Sequence, residues 1–427
     1  MSKSIFDPQV IKKEFPLLER SVNDNPIVYL DSAATSQKPI EVIERMNDYY
    51  KEINANVHRG AYHIAELATE EVEETRRKVH RFINSNSEKE INFTKNATEA
   101  INLVSYSWAR SQLTDGDVIL LSSLEHHSNI VPWQQLSSER DIEIRWIPIT
   151  HDGQLDLDNI DELLKGVKLL CVTAVSNALG TINPVKKLVE AAHKVGALCL
   201  VDACQSTPHF ETDVTDLGAD FIAFSGHKMC GPTGIGVLWG RLEILENMTP
   251  FLGGGEMILN VTSDGFTANE LPWKFEAGTP PIAEIIGLGV AISYLEKIGM
   301  GAIREHEQKL TSYALQYSVP IDDVVQRLKG TRFEPSGPTG NQDIPIATSI
   351  VDYVFRWLDL KFGAGDSVIQ PMLIPPHEVV DSSGVDESIA GHKDLTVSGV
   401  GCPDCGSVLY YGEGCLLCRD CGYSKCG

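Results

Sequence analysis

The chain of 427 residues has no apolar run that approaches the roughly 20 residues a membrane-spanning helix needs. Its first residues, 1–7, lack the apolar core of a secretory signal peptide. Positive charge is also scarce, since 36 Lys and Arg face 59 Asp and Glu and leave a net charge of −23. Nucleic acids and anionic membranes attract clustered lysine and arginine, so neither is expected as the main partner. These deficits together predict an acidic cytoplasmic protein.

Cysteine is rare over the first 400 residues, where only four occur, and six more crowd into residues 402–426. In a reducing compartment, closely spaced cysteines are metal ligands or a redox couple more often than structural disulfides. The composition therefore predicts two parts with different chemistry.

Short apolar runs alternate with helical patterns between about residues 90 and 240. The helical pattern is clearest over residues 185–194, and the apolar runs are residues 118–121, 168–172, 197–201 and 221–224. Near-continuous apolar strands between helices predict an α/β fold with a mainly parallel sheet covered on both faces. In such a sheet, ligands bind beyond the carboxyl ends of the strands.

Lys228 follows the last of these runs, in the segment Phe-Ser-Gly-His-Lys. A single lysine after a strand is usually a solvated strand end. Burial or a neighbouring positive charge lowers a lysine pKa and allows the amine to hold a cofactor aldehyde. The adjacent His227 and the glycine-rich residues 231–234 favour the interpretation that the Lys228 amine holds a cofactor.

Asp202 and Gln205 follow the run at residues 197–201. If the cofactor is pyridoxal phosphate, a carboxylate beside the ring nitrogen keeps that nitrogen protonated and makes the ring an electron sink. Gln205 would reach the phenolic oxygen of the ring. The alternative is that Asp202 only caps the helix that follows.

His126 lies after the run at residues 118–121 and is placed to stack on the cofactor ring. A pair of histidines can also bind zinc. His126 and His127 are adjacent, however, and neighbouring side chains on an extended segment point to opposite sides, which suits a shared metal poorly.

A phosphate site is predicted where residues 95–101 form a small polar turn that enters a helix. Its free backbone N–H groups and the Thr98 hydroxyl suit a phosphate, and Ser225 and His227 would complete the cup. The same turn is equally compatible with an ordinary helix start. Asn177, in residues 176–180, is expected near the oxygen side of the ring.

These segments, in this order and spacing, resemble the fold-type I pyridoxal-phosphate enzymes of the class V aminotransferase group, specifically the cysteine desulfurases of the sulfur-mobilisation (SUF) type. They are similar also to selenocysteine lyases. Further matching segments are residues 29–35, 56–60 and 275–280. The resemblance covers about residues 5–316.

The resemblance implies a homodimer in which Lys228 holds pyridoxal 5'-phosphate and then moves the Cα proton of L-cysteine or L-selenocysteine. Asp202 would sustain the electron sink and His126 would lie above the ring. Thr279 would reach the phosphate bound to the neighbouring subunit. The implied products are L-alanine and a persulfide, whose sulfur a partner protein can accept for iron-sulfur cluster assembly.

One part of the family pattern is missing. The family carries its nucleophilic cysteine and an arginine that binds the substrate carboxylate in an Arg-x-Gly-His-His-Cys segment of a small C-terminal domain. No such segment occurs in this sequence. The expectation is therefore a large domain, residues 1–316, without the usual small domain. Cys204 and Cys230 could substitute as nucleophiles, but their positions favour packing roles.

Residues 317–427 resemble the C-terminal end of the adenosylcobalamin-dependent (class II) ribonucleotide reductases. The segments that carry this resemblance are residues 331–337, 344–347 and 352–357, with the cysteine tail. We expect a segment at 317–370 that includes one helix over residues 349–362, then a flexible linker at 371–400 and a tail at 401–427.

The tail carries two Cys-x-x-Cys pairs, whose spacing predicts a zinc ribbon with the ligands Cys402, Cys405, Cys415 and Cys418. The resemblance implies that Cys421 and Cys426 form a redox pair that exchanges disulfides. The alternative is that Cys421 is a zinc ligand in place of Cys418.

A second functional hypothesis follows from the tail alone. The chain would then act only as a zinc and thiol-exchange module, a fragment of a class II ribonucleotide reductase. Nucleotide reduction itself is not expected, because the catalytic barrel of that enzyme is absent. The junction near residue 316 is either a true gene fusion or an artefact of assembly.

Overall fold

A computed structural model describes residues 6–22 and 24–316, with side chains up to residue 308. Beyond these it describes only the backbone of six short strands, at residues 337–338, 346–347, 396–401, 408–412, 415–418 and 424–426. The predicted helix at 349–362 lies outside the described residues, as do Cys402, Cys405 and Cys421.

The strands of the first part, in chain order, are β1 Ser21–Val22, β2 Asn25–Pro26, β3 Ile91–Thr94, β4 Val118–Ser122, β5 Glu143–Ile147, β6 Val167–Thr173, β7 Leu198–Asp202, β8 Phe221–Ser225, β9 Gly236–Gly240, β10 Ile258–Val261 and β11 Phe266–Ala268. Seven of them form one sheet with the order β3-β9-β8-β7-β6-β4-β5. Neighbours from β8 to β5 are parallel, and β9 runs antiparallel to both β8 and β3. The predicted α/β fold with a mainly parallel sheet is confirmed.

The helices are α1 Pro8–Lys12, α2 Ile40–Asp48, α3 His63–Phe82, α4 Ala97–Leu103, α5 Arg110–Gln112, α6 Val131–Glu139, α7 Ile160–Leu163, α8 Val185–Lys194, α9 Val214–Leu217, α10 Leu242–Asn247, α11 Ile282–Ile298 and α12 Met300–Gln316. The pattern at residues 185–194 predicted α8 correctly.

Two apolar clusters cover the two faces of the large sheet. Because successive strand residues point to opposite faces, Leu120 and Leu170 belong to one cluster, and Ile119 and Leu169 to the other. Helices α3, α8 and α11 pack on the first face, and α4 and α6 on the second. Burial on both faces explains why these strands are almost continuously apolar.

Among the described helices, none alone is long and apolar enough to cross a membrane. Helix α11 and the first part of α12 pass that test only as a pair bent by 67°.

The chain divides into two compact units, Met1–Ala364 and Gly365–Gly427. The first also contains the strand pair β12 Gly337–Pro338 and β13 Ile346–Ala347. The second contains a four-stranded antiparallel sheet, made of β14 Thr396–Gly401, β15 Val408–Gly412, β16 Cys415–Cys418 and β17 Ser424–Cys426. Strand pairing thus begins inside the segment predicted as a linker. The predicted domain boundaries stay predictions.

Candidate functional site

Three of the predicted site residues lie at one edge of the sheet, at the carboxyl ends of parallel strands. Lys228 ends a short 3₁₀ turn directly after β8, Asp202 is the last residue of β7, and His126 lies in the loop after β4. Their charges act on one another. Burial and then the Lys228 cation lower the pKa of His126, and Asp202 opposes this shift. The fold therefore brings an amine, a carboxylate and an imidazole into one electrostatic neighbourhood.

His126 is oriented by the turn that follows it. Its Nδ1 accepts a hydrogen bond from the Ser128 backbone N–H at 3.2 Å and lies 2.8 Å from the Ser128 hydroxyl. Part of the side chain faces solvent, but desolvation by the surrounding protein still lowers its pKa, and the Lys228 cation lowers it further. The imidazole is therefore neutral at pH 7, which suits a ring that stacks on an aromatic cofactor.

Glu125, beside His126, is a buried carboxyl that the sequence did not single out. It accepts hydrogen bonds from the Ser122 hydroxyl, from the Thr173 backbone N–H at 2.7 Å and from Asn129 Nδ2 at 2.7 Å. Burial, with a smaller contribution from Asp202, raises its pKa to about 8. Glu125 thus ties the loop that carries His126 to strand β6, beside the strand that ends in Asp202.

The residues of the predicted phosphate cup lie around the start of α4 and the end of β8. The Ser225 hydroxyl accepts a hydrogen bond from the Ala97 backbone N–H at 2.9 Å, so the end of β8 holds the helix start in place. Thr98 is exposed in the first turn of α4. Gly236 allows this approach, because a Cβ there would lie 2.5 Å from the Asn96 Cα. The third member of the predicted cup, His227, lies in the turn after Ser225.

The N-terminal segment binds the turn that carries Lys228. The His227 carbonyl accepts hydrogen bonds from the Ser36 N–H at 2.9 Å, from the Thr35 hydroxyl at 3.1 Å and from Lys38 Nζ at 3.0 Å. The pKa of Lys38 is lowered, chiefly by burial. This contact was not predicted. The only sequence signal for it was the cluster of small polar residues with a lysine directly after the matching segment at 29–35.

Three other predicted site residues, Gln205, Asn177 and Thr279, differ in burial and in their contacts. Gln205 is buried and its Nε2 donates to the Ala33 carbonyl at 2.7 Å, which places its side chain against the N-terminal segment. Asn177 and Thr279 are both exposed on this chain. Asn177 lies four residues beyond the carboxyl end of β6, and Thr279 lies three residues before α11.

Neither cysteine near the site is a thiolate at neutral pH. Burial raises the pKa of Cys204 well above its usual value, and Asp202 adds to the effect. Burial also raises the pKa of Cys230 to about 11. Because the thiolate is the reactive form, both residues are poor replacements for a loop nucleophile.

The donors and acceptors at this edge fit pyridoxal phosphate. Asp202 is a buried carboxylate for the ring nitrogen, and Lys228 is an amine for the aldehyde. The Ala97 and Glu99 N–H groups already donate to the Ser225 hydroxyl and to Asn96 Oδ1, so the hydroxyl groups of Thr98 and Ser225 are the donors that this turn offers to a phosphate. A neutral imidazole at His126 completes a set that matches each part of the ring.

Family comparisons agree with this arrangement. The Aminotransferase class-V model matches residues 28–329, and a model named TSCPD domain matches residues 303–362. A probable cysteine desulfurase of Streptomyces coelicolor is 51% identical over 326 residues, which cover 75% of this chain and 78% of that protein. A cysteine desulfurase of Haloferax volcanii is 45% identical over 388 residues, which cover 86% of this chain and 89% of that protein. The second alignment therefore continues past Gln316.

Solved structures give the same result. The apo structure of a cysteine desulfurase from Thermococcus onnurineus has a TM-score of 0.70 and 41% identity, and the match covers 74% of this chain and 77% of that one. The cysteine desulfurase CsdA of Escherichia coli has a TM-score of 0.66 and 37% identity, with 77% and 79% covered.

Proposed function

As this chain belongs to the aminotransferase class-V family and, within it, to the pyridoxal-phosphate-dependent cysteine desulfurases, we propose that it removes sulfur from L-cysteine at the carboxyl edge of its central sheet. The observation that carries the proposal is the convergence of Lys228, Asp202 and His126 at that edge. Bound pyridoxal phosphate supplies an electron sink that makes the substrate Cα proton acidic.

Each of these site residues then has a distinct role in the proposed reaction. Lys228 holds the cofactor and takes and returns the Cα proton at Nζ. Asp202 would hold the ring nitrogen, and the neutral His126 would cover one ring face. Gln205 and Asn177 would serve the oxygen side of the ring. The hydrogen bonds of the N-terminal segment to the His227 carbonyl keep the Lys228 turn in position.

The phosphate would be held by Thr98, Ser225 and His227, with Thr279 supplied by a second copy of the chain. This assignment requires that the protein is a homodimer. It is supported by the exposure of Thr279 on a single chain and by exposed apolar residues on the hairpin of β10 and β11, among them Leu259 and Phe266. The mass of the protein in solution, measured by light scattering, distinguishes a dimer from a monomer.

Sulfur transfer requires a thiolate. In the balanced reaction, the acceptor sulfur forms a bond to the substrate sulfur, the substrate C–S bond breaks, and alanine and a persulfide result. Since Cys204 and Cys230 have raised pKa values, we assign the acceptor role to an external thiol or to a cysteine of a partner protein. The SUF type is the finer assignment, supported by the segments at residues 56–60 and 275–280.

We expect the purified protein loaded with pyridoxal phosphate to release alanine from L-cysteine, with faster release when dithiothreitol is added as acceptor. L-selenocysteine, tested in parallel, shows which amino acid is preferred. Free pyridoxal phosphate at the same concentration is the control. Alanine release no faster than this control would contradict the proposal and leave cofactor binding without turnover.

For the tail we propose a reductase-like zinc ribbon with the ligands Cys402, Cys405, Cys415 and Cys418 and a redox pair at Cys421 and Cys426. Support comes from the Cys-x-x-Cys spacing and from the TSCPD domain match at residues 303–362. In the backbone register Cys426 lies opposite Cys415. The proposed zinc ligands and the proposed redox pair therefore each include a residue of the same small sheet.

Metal analysis of the full chain should find about one zinc per chain. We expect Cys418→Ser to remove the metal and Cys421→Ser to retain it, because only the first removes a ligand. If Cys421→Ser removed the metal and Cys418→Ser retained it, Cys421 would be the zinc ligand in place of Cys418. A protein without zinc would contradict the ribbon.

A further inference from the structure

A buried carboxyl next to His126 takes no part in the proposed reaction. Glu125 is only 8% exposed, and three donors face its two oxygens. Asn129 Nδ2 donates to Oε2, whereas the Thr173 N–H and the Ser122 hydroxyl donate to Oε1. Because a buried donor that loses its acceptor costs free energy, this set of donors specifies a carboxyl at position 125.

Oε1 of Glu125 replaces a strand neighbour at the end of β6. The ladder between β4 and β6 ends at the pair Leu121 and Cys171, so the Thr173 N–H lies beyond it. Glu125 Oε1 accepts a hydrogen bond from that N–H at 2.7 Å. Thr173 lies opposite Asp202 in the parallel register of β6 and β7. The carboxyl therefore fixes the loop after β4 to the strand end beside Asp202.

Oε2 of Glu125 holds the turn on which the His126 ring depends. It accepts from Asn129 Nδ2 at 2.7 Å, and Asn129 is fully buried. Asn129 Oδ1 accepts from the indole N–H of Trp133, in α6, at 3.1 Å, which fixes the orientation of the amide. The Asn129 backbone N–H donates to the His126 carbonyl at 2.8 Å, and Ser128, between them, contacts His126 Nδ1. A displacement of Asn129 would therefore move the imidazole.

We propose that Glu125 is a positioning residue that holds the His126 imidazole and the Asp202 carboxylate at a fixed separation, the first through Asn129 and the second through Thr173. The inference rests on the proposed function, in which these two groups serve the face and the nitrogen of one bound ring. Glu125 acts through its neighbours and does not touch the substrate.

Glu125→Gln in the protein loaded with pyridoxal phosphate tests this role. Whichever way the new amide is turned, its nitrogen faces either Asn129 Nδ2 or the Thr173 N–H, and two donors then oppose each other. We expect kcat for alanine release to fall roughly 10–100-fold with KM nearly unchanged, the effect of misplacing a group at the site. The absorbance maximum of the bound cofactor should shift, and the amides of residues 126–129 should exchange faster with deuterium.

A second substitution should reverse these changes. In Glu125→Gln combined with Asn129→Asp, the new carboxylate can accept from both the new amide and the Trp133 indole, while the new amide oxygen still accepts from the Thr173 N–H. Every hydrogen bond is then restored with two roles exchanged. The double variant should recover most of kcat, the original absorbance maximum and slow exchange. Slow exchange without recovery of kcat would show a chemical role for the carboxyl and overturn the proposal.

Glu90→Gln is the matched control. Glu90 is 4% exposed and accepts from the Asn86 and Ser87 N–H groups and from the Trp239 indole at 3.1 Å. It precedes β3, which runs in the same direction as β8, so it lies at the opposite edge of the sheet from Lys228. Its substitution should leave kcat and the absorbance maximum unchanged.

Two failures can be told apart. If the unaltered protein releases no more alanine than free pyridoxal phosphate, the proposed function fails. If Glu125→Gln keeps the original absorbance maximum and the original exchange at residues 126–129, the positioning role of Glu125 alone is overturned. Equal losses of kcat in Glu125→Gln and Glu90→Gln would overturn it as well, because the effect would then come from any buried carboxyl.

Discussion

Lys228→Ala is expected to lower alanine release from L-cysteine by roughly 10²–10⁴-fold, the range that general acid-base groups contribute. The variant should also lose the yellow absorbance of the pyridoxal phosphate complex, because no other described lysine lies in the turn that follows β8. Borohydride reduction followed by peptide mass analysis checks the covalent link directly. The cofactor mass should appear on the peptide that contains Lys228 in the unaltered protein and on no peptide in the variant.

Lys274→Ala is the matched control for this result. Burial lowers the pKa of Lys274, and its Nζ donates to the Leu245 and Glu246 carbonyls, away from the carboxyl ends of the parallel strands. It should keep full colour and turnover. If both variants lost the colour equally, or if Lys228→Ala kept its turnover, the assignment of Lys228 would be wrong.

Arg76→Ala is expected to lower the free energy of unfolding by about 3–5 kcal/mol, the usual cost of breaking a buried ion pair. Arg76 is 1% exposed, and its Nη1 and Nη2 donate to Glu276 at 2.8 and 3.0 Å. Its Nε donates to Glu73 at 3.1 Å. Without the arginine, the Glu276 carboxylate would stay buried with only the Phe93 backbone N–H as a donor among these contacts. Urea unfolding followed by circular dichroism measures the change.

Arg77→Ala provides the comparison on the same helix. Arg77 pairs with Glu70 and Glu74 at the surface, so its removal should cost no more than about 1 kcal/mol. Arg76→Met combined with Glu276→Gln should recover most of the loss, because no buried charge is then left unpaired. Equal, small effects of Arg76→Ala and Arg77→Ala would show that the buried pair does not stabilise the fold.

The ion pair of Arg76 with Glu276 also holds a segment that belongs to the proposed cofactor site. Glu276 belongs to the segment at residues 275–280, which contains Thr279 at its exposed end. Arg76 therefore anchors to α3 the segment that we expect to reach a second subunit. A loss of turnover in Arg76→Ala beyond its loss of folded protein would follow from displacement of that segment.

Local patterns were sufficient to predict four of the seven strands of the sheet and its mainly parallel character. The apolar runs at residues 118–121 and 221–224 became β4 and β8, because a strand buried on both faces must be apolar along its whole length. Parallel strands place their carboxyl ends at one edge, so Asp202 at the end of β7 and Lys228 in the turn after β8 lie at the same edge of the sheet. Their individual roles remain predictions.

The contacts that hold this site depend on residues far apart in the chain. Thr35 meets His227 across 192 positions, and Arg76 meets Glu276 across 200. No periodicity relates such positions, because the pairing is decided by how the helices and the N-terminal segment pack on the sheet. Glu125 shows the same limit, since its sequence neighbours do not reveal that burial raises its pKa to about 8.

The sequence by itself thus determined the α/β class and the mainly parallel sheet, and it predicted the edge at which the candidate site residues lie, since these follow from local hydrophobicity and chain direction. Only the tertiary structure decided which polar groups are buried and which carbonyl the N-terminal segment binds. Those features arise from long-range packing, in which the free energy of a group depends on neighbours that its own segment does not specify.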